Sequence, residues 1–276
     1  MITRVAERDF VHVRRLGVGV ARRLEAAPRA LGRVHSVFAR AVNVLCHDGR
    51  LVTLHGPGPL AAPFAAGLDR LPRLGALVPG MSVERAGERL VLDGLTLDWR
   101  GAEVVDTALA AAGDESALAA ALREASLPAG AAALRSPVAL DARRRLAAGL
   151  RHGDPRGVVD GALRLIGLGE GLTPAGDDCL VGMLAVVHRF RPDALARHPD
   201  VARAVAAAAR EGTTAVGREF LLHALAGSFS EAVIALASAG TEGAAREALA
   251  DLLTMGATSG ADTAVGMRLG LEAIAA

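Results

Sequence analysis

Near residue 114 the texture of the chain changes, and the change limits the folds open to it. Before that point, short runs of alternating apolar and polar residues are broken by Gly, Pro and Asp. Arg33–Leu45 has strand-like alternation, His47-Asp48-Gly49-Arg50 reads as a turn, and Leu51–His55 reads as the returning strand. Arg89–Leu92 and Leu95–Trp99 flank Asp93-Gly94, a two-residue hairpin signal. After it, Ala/Leu stretches recur at helical spacing. They predict helices over 115–125, 140–150, 156–166, 177–190, 200–210, 214–226, 230–239, 242–254 and 262–275. Strands first and helices after is the α+β order, not the alternation of a parallel sheet. The expectation is a β-rich N-terminal lobe over 1–110 and a mainly helical lobe over 111–276, with a soft boundary near 107–115.

Composition narrows what these lobes contain. Aromatic residues are 3% of the 276 and there is no Tyr, so Ala, Leu, Val and Gly must fill the interior and helices can approach closely. Every basic residue is Arg, which rules out a Schiff-base lysine and a Walker-type lysine. The 31 basic and 30 acidic residues balance, with no basic tract, which argues against nucleic acid as the main partner. Two cysteines, Cys46 and Cys179, make neither a disulfide framework nor a four-ligand zinc site, and a reducing compartment is the simplest reading. The N-terminal stretch carries Arg4, Glu7, Arg8 and Asp9, unlike a signal peptide. The longest stretch without Asp, Glu or Arg, Leu51–Leu68, holds Pro57, Pro59 and Pro63 and cannot be a membrane helix. A cytoplasmic protein, without membrane or nucleic-acid partners, is expected.

Two loops carry the candidate chemistry. Gly167-Leu-Gly-Glu-Gly-Leu-Thr-Pro-Ala-Gly-Asp-Asp178 places three glycines at alternate positions ahead of an apolar helix that Asp177 and Asp178 open. Acidic residues in a first turn suit the helix dipole, but a cap needs one such residue, not a twelve-residue polar loop. The pattern Gly176-x-Asp178-x-x-x-Gly182-Met183 recurs as Gly260-x-Asp262-x-x-x-Gly266-Met267, preceded by Thr173 in one copy and by Thr258 and Ser259 in the other. Asp and Gly four apart share a helix face, and the Gly lets a second helix come close, which would bring the two N-termini together. Free N–H groups there would favour an anion such as phosphate, and carboxylates would favour Mg²⁺ held together with substrate phosphates. The candidate anion-binding residues are Gly169, Gly171, Thr173, Gly176, Thr214, Arg218, Thr258, Ser259 and Gly260. Asp177, Asp178 and Asp262 are the candidate catalytic groups and candidate Mg²⁺ ligands; no organic cofactor is expected.

The run Gly167–Asp178, followed by Leu180 and Gly182, resembles the AllH-like family, named for the oxamate carbamoyltransferase subunit of allantoin breakdown. Ser259-Gly260-x-Asp262 and Gly266 are similar to its C-terminal motif, Gly212-Thr213-Thr214 to its Thr-rich helix start, and Val37–Asn43 to its first strand. Cys179 and Ala257 depart from the residues common in the family at those places. The resemblance implies a subunit of a hetero-oligomeric enzyme that transfers a carbamoyl group between oxalurate and phosphate, giving oxamate and carbamoyl phosphate.

Other motifs are weaker. The eight histidines show no HExxH spacing, and His223 falls inside an apolar helix, where a core role is commoner than a ligand role. His35 and His55 lie on expected strands. Gly256–Gly260 is not a nucleophile elbow, and Arg143-Arg144-Arg145 reads as a solvated helix face. Arg218 is the better anion-binding arginine, because its fork matches carboxylate or phosphate. Three functions follow: a carbamoyltransferase subunit, a stand-alone Mg²⁺-dependent phosphotransferase or hydrolase, and a non-catalytic scaffold.

Overall fold

A computed structural model describes residues 9–72, 77–109, 113–125 and 132–275. Part of the expected boundary, residues 110–112, and the charged residues Arg4, Glu7 and Arg8 lie outside them. The chain forms two compact units, one up to Thr107 and one from Ala108.

The first unit is a β-barrel with one α-helix among its described residues. Its strands are β1 (Asp9–Gly17), β2 (Ala30–Val37), β3 (Ala41–Cys46), β4 (Leu51–His55), β5 (Ala65–Leu68), β6 (Ser82–Arg85), β7 (Arg89–Leu92), β8 (Leu95–Asp98) and β9 (Glu103–Val105); helix α1 spans Val18–Ala26. They follow the order β5-β4-β3-β2-β6-β7-β8-β1-β9, and a β5–β1 pairing closes the sheet. A register shift between Val13 and Arg15 lets β1 serve two parallel neighbours in turn, β8 along its first half and β9 along its second. The interior is aliphatic, with Val11, Val44, Leu51, Val52, Val83 and Leu97 fully buried.

The expected turns at 47–50 and Asp93-Gly94 join β3 to β4 and β7 to β8. The single strand read over Arg33–Leu45 is a correction: it is two antiparallel strands that reverse at Phe38–Arg40, where the Phe38 N–H donates to the Ala41 carbonyl at 2.8 Å. Val37–Asn43 therefore straddles a turn and is not a first strand; β1 holds that place.

The second unit is helical. It comprises α2 (Glu115–Glu124), α3 (Pro137–His152), α4 (Pro155–Leu165), α5 (Ala175–Phe190), α6 (Asp193–Ala196), α7 (Pro199–Gly212), α8 (Ala215–Leu225), α9 (Glu231–Ala237), α10 (Glu242–Leu253) and α11 (Ser259–Ile274). Asp114, Ser136, Asp154, Thr214, Ser230 and Thr241 cap α2, α3, α4, α8, α9 and α10 through their side chains. Helices α5 and α11 have no side-chain cap.

Helix α5 is the axis of this unit: from Ala175 to Val187 every residue is buried. Its main neighbour is α11, and glycine sets their separation. A Cβ on Gly182 would stand 2.0 Å from the Thr263 carbonyl oxygen, and one on Gly266 would stand 1.9 Å from that of Cys179. Each helix thus presses its glycine onto the backbone of the other. Among the described residues, no helix is long and apolar enough to cross a membrane.

Candidate functional site

The glycine-spaced packing of α5 against α11 brings their N-termini together, as the repeated motif predicts. Thr173 Oγ1, ahead of α5, and Ser259 Oγ, at the start of α11, are hydrogen-bonded at 2.8 Å. The glycine two residues before each aspartate fixes the entry of its helix. A Cβ on Gly176 would meet the Leu165 carbonyl oxygen at 1.9 Å, and one on Gly260 the Leu252 carbonyl oxygen at 1.9 Å. Each motif helix is therefore seated on the end of the helix before it, α4 or α10.

Asp178 and Asp262 sit in the first turns of α5 and α11, and both are buried. The Ser259 and Thr173 hydroxyls hydrogen-bond the Asp178 carboxyl, while Asp178 Oδ2 is buried with no hydrogen-bond partner among the described residues. Burial drives the Asp178 pKa up to about 8; the Ser259 hydroxyl opposes the rise, and the neighbouring Asp262 charge adds to it. A second negative charge close by makes the ionised form of Asp178 costlier still.

Asp177 points elsewhere. Gly167 N–H donates to its Oδ1 at 2.9 Å and Thr213 Oγ1 donates to its Oδ2. It pins the glycine loop and the entry to α8 onto α5. Burial raises its pKa to about 6, with the Thr213 and Gly167 donors pulling the other way. Thr214 caps α8 by accepting from Gly217 N–H at 2.9 Å and donates its hydroxyl proton to the Leu172 carbonyl. Arg218 lies half-buried in the first turn of α8. Gly169 packs on Ala175, whereas Gly171, at φ +93°, has nothing within 4 Å of where a Cβ would be. Thr258 is exposed, and its carbonyl accepts the Asp262 N–H.

The expectation of free N–H groups needs correction. Gly176 N–H donates to the Leu168 carbonyl, and the Asp177 and Asp178 N–H groups donate to that of Pro174. In α11, the Gly260 N–H is taken by the Met255 carbonyl. The loops close back on their own helices and take up these first-turn N–H groups. Among the described residues, no group of three or more His, Cys, Asp or Glu is placed to hold a metal ion.

Two residues were missed by the sequence reading. Arg144 and Arg145 pair with Asp141 at 3.7 and 2.7 Å, as solvated residues do. Arg143 does not share their face: its Nε is buried with no hydrogen-bond partner among the described residues. Its charge acts on the Cys179 thiol, as do those of Asp262 and Asp178. The signal was present in the spacing, because Ala139 and Ala147, four residues to either side, are buried. Glu219 in α8 is the second, fully buried and 3.9 Å from His223. Cys179 itself is an inert core thiol, its pKa pushed by burial up to about 12.

Against known families, a model described as oxamate carbamoyltransferase subunit AllH matches residues 165–271, and one described as the AllH family N-terminal domain matches residues 12–104. Among curated proteins and among solved structures nothing matches the chain.

Proposed function

The chain belongs to the AllH family, and from that premise we propose that it is the subunit of a cytoplasmic carbamoyltransferase that holds carbamoyl phosphate, or the anion it is made from, between the N-termini of α5 and α11. Asp178 carries the reading: a buried carboxyl with one oxygen unpartnered, beside a second carboxyl and two hydroxyls. A carbamoyl group presents two N–H donors and one carbonyl acceptor. Asp178 Oδ2 accepts from its NH₂, and the Thr173 or Ser259 hydroxyl donates to its oxygen. Arg143 and Arg218 supply positive charge for the phosphate, in a chain without lysine. Asp178 and Asp262 would be the carboxylates to hold Mg²⁺ together with substrate phosphate, and the ion would supply further positive charge for the phosphate oxygens. Two free buried cysteines accord with a reducing compartment.

In the oxalurate direction, a phosphate oxygen attacks the ureido carbon and the C–N bond to oxamate breaks. The departing nitrogen then takes a proton. A carboxyl with a pKa near 8 is protonated at neutral pH and suits that donation. The pathway implied is purine and allantoin catabolism, with partner subunits completing the enzyme.

The test is ligand-dependent melting of the purified chain with phosphate, Mg²⁺, carbamoyl phosphate, oxamate and oxalurate, alone and in pairs. Ligand at 100 times its Kd stabilises by about 2.7 kcal/mol. We expect carbamoyl phosphate to raise Tm, and Asp178→Asn to abolish the rise while the variant still folds. An equal rise in the variant would remove the site from these loops. The engagement of Asp177 and of the first-turn N–H groups within the chain favours a scaffold role as the second reading. No ligand shift, together with full turnover of the assembled enzyme carrying Asp178→Asn, would select it.

A further inference from the structure

At the far ends of α5 and α11 lies a cavity of about 680 Å³, walled by the ends of α3 and α11, the start of α4, and α6 and α7. That volume is typical of a small-molecule site. Its wall is mixed. Phe190, Leu195, Val201 and Ile274 make the apolar part. The ring of Phe190 is half-buried and is held from behind by the Arg189 guanidinium, 5.4 Å from its centroid.

Two arginines stand at the same wall with their geometry already fixed. Arg191 Nη2 donates to the Ile274 carbonyl at 2.9 Å, and Arg151 Nη2 donates to that of Glu272. These bonds occupy the orphan carbonyls at the end of α11 and offset the negative end of its dipole. Neither guanidinium has a carboxylate partner among the described residues. The acids of the wall are committed elsewhere: Asp193 pairs with Arg197 at 3.3 Å, and Asp154 caps α4 by accepting the Arg156 N–H at 3.0 Å. Each arginine keeps further N–H donors after its one backbone bond. A guanidinium fork matches phosphate, and an aromatic wall suits a planar ring.

We propose that this cavity is a second ligand site, which takes a nucleotide-sized phosphomonoester, its phosphate on Arg151 and Arg191 and its planar body against Phe190. The site is built from residues that the α5–α11 N-terminal site does not use, and it is independent of that reading.

The experiment is thermal melting of the full chain with adenosine 5′-monophosphate, adenosine or inorganic phosphate, each shift taken against the ligand-free Tm of the same variant. The nucleotide should raise Tm by several degrees at millimolar concentration, and adenosine and phosphate by less than half as much. The double variant Arg151→Gln, Arg191→Gln should lose the rise, and Asp178→Asn should keep it. Because the arginines also cap α11, Leu195→Trp provides a second test that fills the cavity and leaves both in place; it too should lose the rise. No shift with the nucleotide, an equal shift with phosphate alone, or a shift that survives Leu195→Trp would overturn the proposal.

Discussion

Asp178 is the residue whose state is set most strongly by its surroundings. Its carboxyl, near 4 in an unfolded chain, is raised to about 8 by burial. The folded state then binds the proton more tightly than the unfolded one. The contribution of this group to stability is complete below about pH 4 and is lost as pH rises through 8. Asp177, raised to about 6, acts in the same direction over a narrower window. Between pH 5 and pH 8 the Tm of the native chain should therefore fall, and that of Asp178→Asn should fall less. Parallel pH profiles would show that Asp178 is not held protonated. Thr213 is the second residue to test. Thr213→Val keeps the shape and removes the donor to Asp177 Oδ2, and should cost roughly 1–3 kcal/mol in urea unfolding.

At the scale of elements, the contact of α5 with α11 is the tightest commitment in the helical unit. Gly182→Ala puts a methyl group 2.0 Å from a backbone oxygen, and overpacking of this kind costs about 1–3 kcal/mol or more. Gly171→Ala faces open space and pays only for its left-handed backbone, on the order of 1 kcal/mol. Chemical denaturation should rank Gly182→Ala below Gly171→Ala; the reverse order would mean that the helices can part without penalty. The helices were legible because Ala and Leu keep helical spacing between recognisable caps, and most expected spans lie within a few residues of the observed ones. Strands were less so. Phe38–Arg40 reverses the chain without Gly or Pro, so no turn residue marks the break between the two strands. β5 is the wholly buried run Ala65–Leu68, which shows no alternation, and β9 is only Glu103–Val105. At the site, the meeting of the two motifs could be read from their shared glycine spacing. The fate of the N–H groups could not, because it depends on how each loop folds back onto its own helix.

At the scale of the whole molecule, each unit has its own core and its own reporter. The sole tryptophan, Trp99, is buried in the barrel unit, whereas helical ellipticity comes mostly from the second unit. Leu97→Ala, at a fully buried position of β8, should cost about 2–5 kcal/mol and lower the urea midpoint seen by Trp99 fluorescence. An unmoved midpoint would mean that the barrel closes without that side chain. The reciprocal glycine contacts described above have one more consequence. Exchanging α5 with α11 carries Gly176 onto Gly260, Asp178 onto Asp262 and Gly182 onto Gly266, so the two acids face each other across a local pseudo-twofold axis. An asymmetric ligand on such an axis meets the same group whichever way round it enters. Its orientation must be decided by the positions where the halves differ at the site, Thr173 against Ala257 and Ser259 against Ala175.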